Sequence, residues 1–208
     1  RHRSGTENPR HHQKERRKAM SISIITPAVS EPLSLTDVKE FLRVDHSDDD
    51  TTLAIMISAA RELCEQYTRQ ILMTTTIEEF YDMFPDYTPA DKDIIYLSRG
   101  PVQSVSSVKY IDDAGDEITI NSSKYRTDLI SQPSRIISED GWFSTKDTTN
   151  AVIVEYVVGY SSASDVPAPL RQGMLLVIAD MYENRIDSVK RLPTASEYLW
   201  NPFRVFTF

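Results

Sequence analysis

Between Leu33 and Leu72 the chain reads LSLTDVKEFLRVDHSDDDTTLAIMISAARELCEQYTRQIL, and this stretch constrains the fold more than any other. Ser34 is a natural N-cap, and Asp37 three residues on completes a capping box that starts a helix over Leu35–Arg43. Leu35, Val38 and Leu42 share one face of it. The run HSDDD, His46 to Asp50, makes the next turn, with Asp48 or Asp49 placed to cap a second helix at its positive end. That helix extends to about Arg69, and Leu53, Ile57, Ala60, Cys64, Tyr67 and Ile71 form a single apolar stripe at spacings of three and four. Two helices with one-sided stripes need another layer to cover them.

From Met73 the periodicity changes. Thr74 to Phe84 is rich in threonine and aromatic residues and alternates, the signature of a strand. Short strands follow at Ile94–Leu97, Val105–Ile111 and Glu117–Ile120, the last two flanking the turn sequence DDAGD, Asp112 to Asp116. Tyr125–Ile130 and Arg135–Ser138 are further short strands. Ala151–Val158, AVIVEYVV, is the strongest strand pattern and reads as the central one. Pro167 and Pro169 open a helix from Leu170 to about Arg185 that buries Leu170, Met174, Val177, Ile178 and Met181. Helices and strands in blocks rather than alternation predict an α+β fold: an N-terminal helix pair and a later helix packed with an antiparallel β region, followed by an extended C-terminal arm. The organisation expected is a basic tail or non-native extension over 1–19 and one domain over 20–186. That domain has helices in 34–72 and 167–185 and the β-rich region at 73–158, and an arm over 187–208 follows it.

Charge divides the chain. Its net charge is −8, yet residues 1–20 carry seven Lys or Arg against Glu7 and Glu15, a net of +5, so the rest carries −13. Arg10, Lys14, Arg16, Arg17 and Lys18 are candidate nucleic-acid contacts, while the acidic body repels phosphates. A small nucleic-acid-binding protein acting through this basic arm is therefore the alternative functional reading. Adjacent His11 and His12 lack neighbouring ligands at metal spacing.

Motifs for chemistry are missing from the sequence: there is no phosphate loop, no GxGxxG, no HExxH and no GxSxG. His46 sits in an acidic loop and reads as a solvated side chain. Asp45, Asp48, Asp49 and Asp50 lack the spacing and central glycine of a calcium loop. Cys64, the only cysteine, lies on the apolar stripe and reads as a small core residue. A single cysteine suits a reducing compartment. No catalytic residue, metal or cofactor is expected.

The C-terminus carries Tyr198, Leu199, Trp200, Phe203, Val205, Phe206 and Phe208 among its last eleven residues. So much apolar surface is costly in water, at roughly 25 cal/mol per Å². It docks either on its own body or on another protein, and Trp, Tyr, Phe and Arg are the residue types enriched at interfaces.

Taken together, Leu33–Leu72, the helix VPAPLRQGMLLVIADMYENR (Val166–Arg185) and the closing LWNPFRVFTF (Leu199–Phe208) resemble the head–tail connector (adaptor) proteins of long-tailed phages and gene transfer agents. The resemblance implies a structural virion protein made in the bacterial host cytoplasm. Such a protein assembles as a ring, typically of twelve copies, beneath the portal protein at the virion neck. The ring extends the channel through which packaged DNA passes without specific binding, and presents the attachment site for a tail or stopper protein. It also implies that portal docking falls on Tyr198, Leu199, Trp200, Pro202, Phe203 and Arg204, with Val205, Phe206 and Phe208 beside them.

Overall fold

The computed structural model describes residues 21–85, 93–184 and 192–205. Over these residues the fold is α+β, with antiparallel sheets and four helices, in the order β1 (Ser21–Thr26), α1 (Leu35–Leu42), α2 (Asp50–Thr68), β2 (Thr75–Tyr81), β3 (Ile94–Tyr96), β4 (Val102–Ile111), β5 (Glu117–Thr119), β6 (Tyr125–Asp128), β7 (Arg135–Ser138), β8 (Val152–Val158), α3 (Ala168–Glu183) and α4 (Thr194–Trp200).

The capping box at Ser34 forms as the sequence predicts. The Asp37 N–H donates to Ser34 Oγ at 3.1 Å, and the Ser34 N–H returns to Asp37 Oδ2 at 3.0 Å. Hydrogen bonding from Ser34 holds the Asp37 carboxyl below the usual carboxylate range. At α2 the expectation fails in detail. Asp49 occupies the N-cap position but its side chain makes no cap bond. Its Oδ2 instead accepts from the Tyr182 hydroxyl at 2.7 Å, tying the start of α2 to the end of α3. Asp50 pairs with Lys39 of α1 at 2.7 Å.

Two apolar clusters make the interior. The first is helical: Val38 of α1, Leu53, Ile57, Ala60 and Cys64 of α2, Leu170, Met174, Val177 and Ile178 of α3, and Trp200 of α4. The second joins the sheets. The larger sheet has the order β1-β2-β8-β4-β5 and the smaller β3-β7-β6. Every second residue of β8, from Val152 through Val154 and Tyr156 to Val158, is buried there, together with Ile77 and Val108 from the larger sheet and Ile95 and Ile136 from the smaller. The pattern AVIVEYVV thus does become the middle strand, between β2 and β4.

The clusters meet where β8 leaves the sheet. Gly159 has φ +104°, and a Cβ there would run into the Met73 carbonyl, so only glycine fits. The Gly159 N–H donates to Pro101 O at 2.8 Å, and the Tyr160 N–H to Leu72 O at 3.2 Å.

Two departures from the sequence reading matter. Ser21–Thr26 is a strand, pairing with β2 at the sheet edge, where no strand is expected. Its side chains alternate Ser-Ile-Ser-Ile too briefly to stand apart from a loop, and a tertiary pairing decides it. The second departure is at the C-terminus. The extended arm expected beyond residue 186 is, over the described residues 192–205, a helix and a short 3-10 turn (Asn201–Phe203) folded back on the helical cluster.

Candidate functional site

The aromatic C-terminal cluster is positioned by three elements. Pro193, with its fixed φ, stands at the N-cap of α4. The helix lays Ser196 and Trp200 against α3, where the Ser196 hydroxyl donates to Gly173 O at 2.9 Å and the Trp200 indole N–H donates to Leu170 O at 3.1 Å. Gly173 is what admits the indole: a Cβ there would fall on Trp200 Nε1. The 3-10 turn then brings the chain to the end of α2. Gln70 Nε2 donates to Phe203 O at 2.7 Å, and the Val205 N–H to Thr68 O at 2.8 Å. The Arg204 guanidinium sits 5.2 Å from the centre of the Tyr67 ring, which itself meets Trp200 at 5.9 Å.

This geometry sorts the residues expected to face a partner. Trp200 is fully buried and Val205 nearly so. Both belong to the interior of their own chain, because an indole with its N–H satisfied and a paired backbone gain nothing from leaving it. Leu199 and Phe203 are half-buried against the helical cluster. Tyr198, 83% exposed, stands with exposed Asn201, Pro202 and Arg204 on the outer side. Phe206 and Phe208 lie outside the described residues, as do Arg10, Lys14, Arg16, Arg17 and Lys18. Gly173, Ser196 and Thr68 went unread in the sequence. A glycine inside the pattern LRQGMLL was the available signal, since an isolated helical glycine marks a close approach.

Cys64 is buried in the helical cluster, and burial pushes its thiol far above the usual range. His46 lies 3.9 Å from the highly exposed Asp48 in the α1–α2 loop. Glu79 points inward from β2. The Tyr156 hydroxyl donates to its Oε2 at 2.7 Å and the Ser98 N–H at 3.2 Å, yet burial raises its pKa. Among the described residues no group of three His, Cys, Asp or Glu is arranged to hold a metal ion.

An open cleft of about 890 Å³ lies beside the smaller sheet, walled by Phe84, Trp142 and Phe143. Phe84 stacks on Trp142 at 4.7 Å, and Tyr110 on Phe143 at 5.2 Å. Of the charged groups that line it, Arg126 pairs with Glu139 at 3.4 Å, and Asp140 pairs with Lys124 from outside the wall at 3.0 Å.

Residues 32–130 match the family model described as phage gp6-like head-tail connector protein, which bears out the resemblance read from the sequence. No curated protein matches the chain. Among solved structures, a chain in the neck of an empty GTA particle computed with C6 symmetry aligns with TM-score 0.74 at 20% identity, covering 90% of this chain and 97% of that one. A chain in the virion of a native gene transfer agent (GTA) particle aligns with TM-score 0.74 at 21% identity, covering 90% and 96%. One in the neck of a native GTA particle computed with C12 symmetry gives 0.69 at 21%, covering 90% and 97%. At these identities the likeness establishes a shared fold along nearly the whole chain.

Proposed function

We propose, from the premise that residues 32–130 carry a head–tail connector sequence, that this chain is a structural protein of a virion neck rather than an enzyme. It forms a ring beneath the portal protein, extends the channel for packaged DNA and presents the surface on which the tail or a stopper attaches. One observation carries the reading. The family match and the near-complete likeness to neck chains coincide in one molecule.

Ring assembly needs two different contact faces per copy, because head-to-tail association is heterologous. Portal docking falls on the outer side of the C-terminal turn, at Tyr198, Pro202 and Arg204, flanked by Leu199 and Phe203. The acidic body, −13 beyond residue 20, suits a channel wall past which DNA slides without sticking.

Light scattering on the purified chain, alone and mixed with its portal, tests the reading. A large complex of fixed stoichiometry is expected in the mixture. A chain that stays monomeric in both samples overturns it.

A further inference from the structure

Strand β1 overhangs the layer beneath it. The smaller sheet ends at β3, and β3 lies under β2: the Tyr81 hydroxyl donates to Tyr96 O at 3.1 Å, and the Ser98 N–H, just past β3, donates to Glu79 Oε2. In the β1–β2 register Ile22 faces Glu79 and Ile24 faces Ile77, so both isoleucines point to the side of the sheet that carries the core. Glu79 and Ile77 are fully buried there, whereas Ile22 and Ile24 are 38% and 60% exposed. The core face of the larger sheet thus continues one strand beyond its cover. Along its far edge β1 pairs with no described strand, and neither lysine nor proline interrupts Ser21–Thr26 to discourage one.

The other face of β1 has a different character. Ser21 and Ser23 lie there, and Ser23 faces Glu78, which in turn faces Glu155 of β8. Carboxylates directly opposite each other on paired strands repel. Lys109 of β4, whose charge both of them feel, is itself held by Glu117 at 3.1 Å. Ser23 is too short to screen Glu78, which stays partly exposed. One edge therefore offers open backbone groups, apolar side chains on its inner side and negative charge on its outer side.

We propose that the free edge of β1 takes up, as a further strand, an extended segment of another protein in which apolar and basic residues alternate. Backbone pairing supplies the contact and the alternate side chains supply the selectivity. Apolar side chains of the added strand lie beside Ile22 and Ile24. Basic ones lie beside Ser21 and Ser23 and extend over the serine to Glu78. The same complementarity argues against a second copy as the occupant. The other edge strands of the described chain read EIT in β5, IIY in β3 and YRTD in β6, and none alternates apolar with basic residues. The C-terminal turn belongs to a different surface, and pairing at β1 does not depend on the ring.

A short fluorescent peptide of alternating lysine and valine, capped at both ends, tests the proposal by anisotropy with the full-length chain. Saturable binding is expected. Successive N–H groups of a strand point to opposite edges, so of two versions N-methylated on every valine or on every lysine, only one keeps the parent affinity. Glu78→Gln weakens binding about threefold, the scale of an exposed ion pair. Ile24→Thr weakens it about fivefold at an unchanged thermal midpoint, through lost apolar burial. Absence of binding overturns the proposal, as does equal affinity for a peptide with the same lysines and valines in two blocks. Parent affinity for both N-methylated versions overturns the strand pairing, and parent affinity in both protein variants puts the peptide elsewhere and overturns the site. Self-association that Ile24→Thr removes, in a chain that ignores the peptide, assigns the edge to a second copy and overturns the proposal as well.

Discussion

The indole of Trp200 lies directly over Gly173, with its N–H donated to the Leu170 carbonyl one turn earlier on the same helix. This contact fastens the C-terminal helix to the core and reverses an ordinary expectation. Gly→Ala inside a helix usually stabilises by about 1 kcal/mol. Here Gly173→Ala drives a methyl into the indole, and overpacking of this kind costs about 1–3 kcal/mol. Trp200→Ala removes a buried aromatic ring and costs about 3–5 kcal/mol. Urea denaturation of both variants checks the sign for Gly173 and the order of the two.

Removal of Leu199–Phe208 strips Trp200 and the Thr68–Val205 backbone bond from the helical cluster, so the truncated chain loses stability along with any binding. Tyr198→Ala touches an exposed ring. It holds within about 0.5 kcal/mol of the parent, as surface changes do, while weakening association with portal. Thermal melts beside portal titrations distinguish the two, and a truncation as stable as the parent would contradict the packing described.

Glu79 gives the fold a pH dependence of definite sign. Burial raises its folded pKa above the unfolded value of about 4.3. The folded state thus binds the proton more tightly, and its contribution to stability is full below the unfolded pKa and lost as pH rises through the folded one. Glu79→Gln keeps an acceptor for Tyr156 without the charge. The variant is expected to lose less stability than the parent between weakly acidic and neutral pH, measured by denaturant midpoints across that range.

Ser34→Ala removes the acceptor for the Asp37 N–H and half of the capping box on α1. The expected cost is about 1 kcal/mol. Because Asp37 is held below its usual range in the folded state, the part that depends on its charge fades as pH falls toward that lowered value, and acid titration of the melting temperature in the two chains should converge.

Legibility in the sequence followed the strength of local pattern. The stripe from Leu53 to Cys64 and the alternation of Val152 to Val158 could be read because burial repeats at a helix or strand period over many residues. The capping box at Ser34 depends on residues three apart, so it too was visible. The role of Asp49 was not, because its partner Tyr182 lies 133 positions away. The C-terminal aromatics raised a choice between self and partner that composition alone cannot decide. A single hydrogen atom in place of a side chain, at Gly173, decided it for Trp200. Strand β1 was missed because six residues in alternation are too few to outweigh a loop reading until β2 is there to pair with them.

The anchoring of Val205 to Thr68 also sets a reach. An arm free from residue 187 onward could carry Tyr198 and Arg204 well away from the domain, at about 3.3 Å per residue. With the backbone pinned at Val205, both side chains instead keep one position beside the C-terminal end of α2. A partner that engages them is selected by its shape at that address and not by the length of a tether.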